Sequence, residues 1–233
     1  MAIEVIRRTE TKFLLDRKTY EELLKKISPH IEKDEYFESF IYNIYYDTDN
    51  FDLIIKSIEK PVYKEKVRLR SYGIPKLDDY VFLEIKKKYS GVVGKRRVRI
   101  KLRDFYDYIE NGTYPKCNQQ IMKEIDYCFK IYNLKPKMFL AYDRHSYYDK
   151  DNKNFRITFD WNIRSREENL KLNTKDAGDK PYLDENYLLM ETKAMGSLPM
   201  WFTSILSSLK IYPTSFSKYG NIYKKKVEGK RYE

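Results

Sequence analysis

Charged and apolar residues alternate along several stretches of the chain, which is the pattern of a β-strand. The stretch EKVRLRSYG, residues 65–73, places Lys66, Arg68 and Arg70 two positions apart, with apolar residues between them. Because successive side chains of a strand point to opposite faces, this segment has one cationic face and one apolar face. Taken alone, such a strand is explained by a solvated face, since Lys and Arg are rarely buried.

The alternation recurs in segments spread over most of the chain. They are TETKF (9–13), VFLEIKKKY (81–89), KRRVRIKL (95–102), MFLAYDR (138–144), FRITFDW (155–161) and LLMETKAM (188–195). A wet face of an antiparallel sheet usually carries mixed polar residues, whereas these faces are mostly Arg and Lys with a few carboxylates. Two interpretations remain open from the pattern alone. One is an open sheet with a solvated charged face, and the other is a closed barrel whose charged faces line a cationic interior.

Helical periodicity is clearest in DRKTYEELLKKISPHI, residues 16–31, where Asp16 is the predicted N-cap and the apolar residues form a stripe. Further helices are predicted from Leu102 to Asn111, from Gln119 to Tyr132 and from Pro199 to Leu209. The polar stretch 165–186 contains glycine and proline and predicts a mobile loop. This loop interrupts a domain instead of dividing two, so we expect a single domain over residues 1–233.

Composition narrows the classes of partner. The 233 residues carry a formal charge of +11. This charge favours a polyanionic binding partner: nucleic acid, an anionic membrane or a phosphate-rich molecule. The 23 tyrosines could stack on bases, but most lie in strand-like runs such as FIYNIYYDT (40–48), where β-propensity explains them. No apolar run long enough for a membrane span is present, and Cys117 and Cys128 form no metal or disulfide framework. We therefore expect a cytoplasmic protein.

Two short motifs are explained better by turns than by chemistry. GVVGK, residues 91–95, has two residues between its glycines where a Walker A motif has four, and it predicts a hairpin turn between two strands. The run of Asp47, Thr48, Asp49 and Asn50 could bind a metal, but a turn that closes the second strand explains it more simply.

The segments RTETKF, IYYDT, KVRLRSYG, FLEIKKK, AYDRHS, FRITFD, METK and PTSFSKYG, in this order, resemble the triphosphate tunnel metalloenzyme (CYTH-like) superfamily. Within it they are most similar to the VTC domain, the catalytic part of polyphosphate polymerases. The resemblance runs from about residue 8 to residue 219 and implies an α+β, mainly antiparallel fold. In it, about eight strands close into a barrel around a basic tunnel, with helices packed outside.

The resemblance also assigns roles to single residues. It implies catalytic roles for Arg70, Lys86, Arg144 and Glu191. It implies phosphate binding by Lys12, Lys66, Arg68, Lys95, Arg97, Arg156, Lys193 and Lys218, with Lys95 preferred to Arg97. Glu191 and Glu10 are the implied ligands of Mg²⁺ or Mn²⁺. Arg suits phosphate because its planar fork binds two oxygens, while Lys supplies a mobile point charge.

One departure from the superfamily pattern bears on the reaction. Hydrolytic members begin with ExExK, and here the corresponding run is Arg8-Thr-Glu10-Thr-Lys12, so an arginine replaces the first glutamate. This favours a metal-dependent phosphotransferase that moves the γ-phosphoryl group of ATP to a polyphosphate chain. The alternatives are a tripolyphosphate or nucleoside-triphosphate hydrolase and a non-catalytic polyphosphate-binding module. The expected partners are ATP with polyphosphate or another triphosphate, and a separate membrane protein for export, while nucleic acid is disfavoured.

Overall fold

The computed structural model describes residues 8–90, 92–175, 178 and 180–229 of the chain. The strands are β1 (Arg8–Asp16), β2 (Ile31–Asp47), β3 (Tyr63–Tyr72), β4 (Tyr80–Tyr89), β5 (Val92–Lys101), β6 (Lys135–Asp149), β7 (Arg156–Arg166), β8 (Lys180–Pro181) and β9 (Tyr187–Met195). The helices are α1 (Arg17–Ile27), α2 (Asp52–Ile58), α3 (Leu102–Asn111), α4 (Gln119–Tyr132), α5 (Met200–Ser208) and α6 (Lys218–Gly229). None of the helices in this part of the chain is both long and apolar enough to cross a membrane.

The strands form one mainly antiparallel sheet in the order β1-β9-β7-β6-β2-β3-β4-β5, and the short β8 pairs with β7. The α+β class and a sheet of eight principal strands are therefore confirmed. The strand order is open: it begins with β1 and ends with β5 in the described part of the chain. The closed barrel that we expected is thus not confirmed.

The chain divides into two compact units, each built from segments far apart in sequence. Of the described residues, the first unit contains 8–39, 142–163 and 181–216, and the second contains 40–90, 92–141, 164–175, 178, 180 and 217–229. The predicted loop at 165–186 lies partly outside the described residues. Within the second unit, Leu172 from this loop is buried, and Arg166 donates to the carbonyl oxygens of Asn169 and Lys171 at 3.0 and 2.8 Å.

Each unit has its own apolar core. In the first, Phe13 of β1, Phe159 of β7 and Met190 of β9 pack with Leu23 and Ile27 of α1. In the second, the apolar faces of the strands pack against α3 and α4, as the alternation predicts. That core includes Val67, Leu69, Leu83, Ile85, Val98, Ile100, Phe105, Ile125 and Phe129. Because one face of each strand is buried in this way, most of the charged residues lie on the other face, and Glu65, Lys87 and Arg96 are exceptions.

The predicted helices are confirmed, with α3 and α4 at the expected bounds and α5 one residue shorter at each end. Asp16 caps α1 by accepting from the backbone N–H of Thr19 at 2.7 Å. The sequence analysis missed α2 and α6. Its hairpin is confirmed by the antiparallel pairing of β4 with β5, but β5 already begins at Val92, so most of GVVGK lies in a strand.

The turn after β2 is also confirmed. The carboxylate of Asp47 accepts from the backbone N–H groups of Thr48, Leu53 and Ile54 at 2.9, 2.9 and 3.1 Å. It also accepts from the hydroxyl of Tyr219 at 3.0 Å, so α6 is tied to the same carboxylate. Asp47 is fully buried, and this burial raises the pKa of its carboxyl above the ordinary value. The hydrogen bonds lower the pKa and offset only part of that rise. Asp47 therefore joins β2, α2 and α6.

Candidate phosphate-binding site

Three neighbouring strands of the second unit align their cations in rows. Lys66 of β3 lies opposite Lys86 of β4, which lies opposite Lys95 of β5. In the next row, Arg68 lies opposite Glu84, which lies opposite Arg97. Residues directly opposite each other share a face, with Cβ atoms about 4.5–5.5 Å apart. The register therefore brings the cations predicted on β3, β4 and β5 to one face, which we call the cationic face.

Glu84 lies at the centre of the cationic face and is only 2% exposed. Its Oε2 atom is 2.7 Å from Nε of Arg68 and 4.0 Å from Nε of Arg70, and its Oε1 atom is 2.6 Å from Nζ of Lys95. One carboxylate thus lies within 4.0 Å of three cations. The sequence analysis left Glu84 out of the candidate site, although its parity with Lys86 already placed it on the charged face of β4.

The ionisation of this cluster follows from its charge count. Burial raises the pKa of Glu84, but Arg68, Arg70 and Lys95 outweigh it and lower the pKa to about 2. For Lys95, burial and repulsion from the two arginines outweigh the attraction of Glu84 and lower its pKa to about 8. Glu84 therefore stays anionic at neutral pH, while Lys95 is the cation of this cluster that deprotonates first as the pH rises.

The two arginines are held by further polar contacts within the second unit. Nε of Arg70 donates to Oδ1 of Asn43 at 2.9 Å, and Nδ2 of the fully buried Asn43 donates to the carbonyl oxygen of Leu140 at 3.0 Å. Nη1 of Arg68 donates to the hydroxyl of Tyr45 at 3.2 Å. Guanidinium groups fixed in this way lose less conformational entropy when they bind phosphate oxygens.

Helix α6 borders the cationic face at its Lys66 end. The ammonium of Lys66 donates to the hydroxyl of Ser217 at 3.0 Å, and Lys218 is the first residue of α6. The ring of Tyr219 stacks on that of Tyr45, with centroids 4.6 Å apart. Lys218 therefore directly follows a residue that contacts a cation of the site, and the helix that begins there was not predicted from the sequence.

The first unit carries a second charged face on β1, β9 and β7. Glu10 lies opposite Lys193, which lies opposite Arg156. In the next row, Lys12 lies opposite Glu191, which lies opposite Thr158. We call this the mixed-charge face, because carboxylates alternate with cations on it.

Each predicted cation of the mixed-charge face has a close partner within the first unit. Nζ of Lys193 is 2.7 Å from Oε1 of Glu191. Nζ of Lys12 is 3.5 Å from Oε1 of Glu10 and donates to the carbonyl oxygen of Phe216 at 2.9 Å. Arg156 forms an ion pair with Asp34 of β2. These partners neutralise the cations and hold them in place.

Arg144 makes the most directional ion pair of the first unit. Its Nε and Nη2 atoms lie 2.5 and 2.7 Å from the two oxygens of Asp160, a two-point contact of guanidinium with carboxylate. Burial lowers the pKa of Arg144, but the charge of Asp160 outweighs it and the pKa is raised. Asp160 is fully buried and was not among the predicted site residues, although its parity with Arg156 placed it on the charged face of β7.

The acidic residues fit a divalent ion only in part. In residues 8–90, 92–175, 178 and 180–229, no three His, Cys, Asp or Glu side chains lie together as metal ligands. Glu191 is 7% exposed and Glu10 lies on the neighbouring strand. Mg²⁺ is commonly held by one or two carboxylates together with substrate phosphates, so these two residues suit a metal that arrives with a nucleotide.

The structure thus groups the predicted residues in two sets. Arg68, Arg70, Lys66, Lys86, Lys95 and Arg97 belong to the cationic face, with Lys218 at the start of α6 in the same unit. Lys12, Lys193, Glu10 and Glu191 belong to the mixed-charge face, together with Arg156. Arg144 is attached to that face through Asp160. A common tunnel for both sets stays a prediction.

Comparison with known proteins identifies the family and the fold. A Bacillus halodurans protein described as a "putative adenylate cyclase" has a similar structure, with a TM-score of 0.55 and 16% identity over 89% of this chain and 92% of that one. A Pyrococcus horikoshii protein has a TM-score of 0.48 and 15% identity over 94% of this chain and 99% of that one. At 16% identity the likeness to the Bacillus halodurans protein concerns the fold alone. No curated protein sequence matches this chain.

A scan against family models gives the decisive match. The model of the VTC domain matches residues 7–226, which is nearly the whole chain and includes both charged faces. This confirms the resemblance found in the order of the strand motifs. The chain belongs to the VTC domain family.

Proposed function

We propose that the protein is an ATP-dependent phosphotransferase of the polyphosphate polymerase type. The reaction transfers the γ-phosphoryl group of ATP to the end of a polyphosphate chain and releases ADP. The observation that carries the proposal is the cationic face, where Arg68, Arg70 and Lys95 surround one buried carboxylate. Two further lysines, Lys66 and Lys86, lie in the same row as Lys95. Membership of the VTC domain family supports the same substrate class.

The chemistry needs little beyond charge and position. A terminal phosphate oxygen of the polymer attacks the γ-phosphorus, and the bond from that phosphorus to the β,γ-bridging oxygen breaks. The attacking oxygen is already anionic at neutral pH, so no general base is required. Phosphoryl transfer is catalysed mainly by positioning and by stabilising charge on the phosphoryl oxygens. Fixed guanidinium groups such as those of Arg68 and Arg70 supply both.

Glu84 keeps the cationic face folded when phosphate is absent. Three cations packed together repel one another, and one buried carboxylate offsets part of that repulsion. A triphosphate carries several negative charges and binds to the same cations. We therefore assign Glu84 as a positioning residue that holds Arg68 and Lys95 for the substrate, without contact to the reacting atoms.

Glu191 and Glu10 are the residues proposed to hold Mg²⁺ or Mn²⁺. When bound with the nucleotide, such an ion neutralises phosphate charge and orients the phosphoryl group. Glu191 would hold the ion, and Lys193, whose ammonium lies 2.7 Å from that carboxylate, would bind a phosphate oxygen of the same nucleotide. Arg8 in place of the first glutamate of ExExK supports transfer over hydrolysis.

The test is to incubate the purified protein with ATP and Mn²⁺ or Mg²⁺ and to separate the products on a gel that resolves polyphosphate lengths. We expect a ladder of polymers that grows with time. Arg68→Ala should abolish it, whereas Arg103→Ala, which removes an exposed arginine paired with Asp78, should not. Release of free phosphate without polymer supports the hydrolase instead. Tight polyphosphate binding with no turnover of ATP supports the binding module.

A further inference from the structure

One end of the cationic face carries aromatic rings next to its cations. Phe82 lies directly opposite Arg70 on β3 and Arg99 on β5, two positions along β4 from Glu84. The ring of Phe82 meets that of Tyr72 edge to face, with centroids 5.8 Å apart. Tyr80 shares the parity of Phe82. Along this face of β3, the side chains therefore change from lysine to arginine and then to the aromatic ring of Tyr72.

Arginine planes cover these rings. The guanidinium carbon of Arg97 lies 4.7 Å from the ring centroid of Phe82, and that of Arg99 lies 3.8 Å from the ring centroid of Tyr80. Tyr72 and Tyr80 are 54% and 50% exposed, although aromatic side chains stabilise a fold mainly when they are buried. Exposed aromatic rings and guanidinium planes are the two surfaces on which nucleobases stack.

We propose that Tyr72, Tyr80 and Phe82, with Arg97 and Arg99, form a stacking site for the base of a nucleoside triphosphate. A nucleotide has the matching shape, with an aromatic base at one end and up to four negative charges at the other. Residues two apart on a strand are separated by about 7 Å, so base and phosphates can occupy adjoining rows of the same face. Arg70, which lies opposite Phe82 and also approaches Glu84, lies beside the first phosphates.

This assignment rests on the proposed function and changes one of its details. Arg97, which the sequence analysis counted among the phosphate-binding residues, is assigned to the base. Stacking tolerates every base because each has a π-face, so we expect little discrimination between ATP and GTP. Tripolyphosphate has the same phosphate groups but no base. Comparing its affinity with that of ATP therefore distinguishes the base-stacking residues from the phosphate-binding residues.

The experiment measures the affinity of ATP and of tripolyphosphate, by calorimetry without added metal, for the wild type and two variants. Phe82→Ala should weaken ATP binding roughly tenfold, since stacking of one base on an aromatic side chain contributes on that scale, and should leave tripolyphosphate within about twofold. The control is Tyr89→Ala, which removes a 63% exposed tyrosine from the apolar parity of the same strand. It should change neither affinity.

Three results would overturn the assignment. The first is equal weakening of both ligands by Phe82→Ala, which makes the ring a support for the phosphate cations. The second is no effect on ATP. The third is tight binding of a single-stranded oligonucleotide without a triphosphate that is lost in Phe82→Ala, which assigns the rings to nucleic acid. If the wild type binds neither ATP nor tripolyphosphate, the proposed function itself is wrong.

Discussion

The ammonium group of Lys95 lies 2.6 Å from Oε1 of Glu84, and this contact ties an exposed part of the last strand in the sheet order to a carboxylate that is almost completely buried. Arg68 and Arg70 approach the other oxygen of the same carboxylate. We therefore expect the stability of the cationic face to be coupled to its proposed affinity for phosphate, because both depend on the same three cations.

Glu84→Gln should destabilise the free protein by about 3 kcal/mol, since removing one member of a buried ion pair leaves the other charges uncompensated. Added tripolyphosphate should then raise the melting temperature of the variant more than that of the wild type. Thermal unfolding with and without tripolyphosphate measures both effects. Glu124→Gln, which removes the carboxylate beside Lys87 and Arg96 away from the cationic face, is the control. An equal ligand-induced shift in Glu84→Gln and wild type would contradict the coupling.

Glu84 also predicts the acid side of the stability profile. Its pKa is lowered from 4.5 to about 2, so its contribution is complete above about pH 4.5 and is lost as the pH falls towards 2. Urea unfolding between pH 2 and 6 should show this loss in the wild type. The Glu84→Gln variant should show a smaller slope over the same range, and an unchanged slope would assign the acid transition to other carboxylates.

Lys95 predicts the alkaline limit of phosphate binding. Its pKa of about 8 means that it loses its charge as the pH rises through that value, far below the ordinary 10.5. Tripolyphosphate affinity should therefore fall between pH 7 and 9. In Lys95→Arg the charge persists, and the decline should move above pH 9. Affinity is measured across this range at constant ionic strength, and identical profiles for the two proteins would show that Lys95 does not contact the ligand.

Tripolyphosphate should stabilise the wild type strongly, because it binds only the folded cationic face. At a hundredfold excess over Kd, ligand binding stabilises by about 2.7 kcal/mol, which corresponds to a rise in Tm of roughly 5–10 °C for a chain of this size. Differential scanning fluorimetry measures the shift. Sodium chloride at matched ionic strength is the control. No rise at millimolar tripolyphosphate would argue strongly against a phosphate site on this face.

Glu191→Gln and Arg70→Ala should separate metal binding from phosphate binding. Glu191→Gln removes a carboxylate charge beside Lys193, so polyphosphate binding should persist or tighten while the rate of transfer from ATP falls by orders of magnitude. Arg70→Ala should weaken binding and turnover together, because a cation that contacts phosphate in the ground state and contacts it more strongly in the transition state affects both KM and kcat. An unchanged ATP-dependent rate in Glu191→Gln would refute the metal assignment.

Asp47→Ala should destabilise the second unit by about 2–4 kcal/mol, since it leaves buried backbone N–H groups of Leu53 and Ile54 without an acceptor. Tyr219→Phe, which removes one donor to the same carboxylate, should cost less. Asp49→Ala, at the exposed carboxylate beside Lys135 and Lys137, is the matched control and should leave the denaturation midpoint unchanged. If divalent ions stabilise the wild type but not the Asp47→Ala variant, the result would support metal binding at this turn.

The sequence by itself determined which face of each strand carries charge. Alternation has a period of two, so the parity of Lys66, Arg68 and Arg70 fixed their common face before any tertiary contact was known. Helices α1, α3 and α4 could also be predicted from the sequence, because each combines an apolar stripe with a clear beginning or end. The order of the strand motifs was enough to identify the VTC domain family.

Only the tertiary structure decided which charges meet. Register and strand neighbours depend on packing across the sheet, so the parity of Glu84 could not reveal that it serves Arg68, Arg70 and Lys95 together, nor that Asp160 holds Arg144. Helix α6 was missed because its sequence, KYGNIYKKKVEG, is polar and contains glycines, and its start is held by Tyr219 and Ser217 through partners distant in sequence. Local sequence determines parity and propensity, whereas the pairing of charges arises from contacts between residues far apart in the chain.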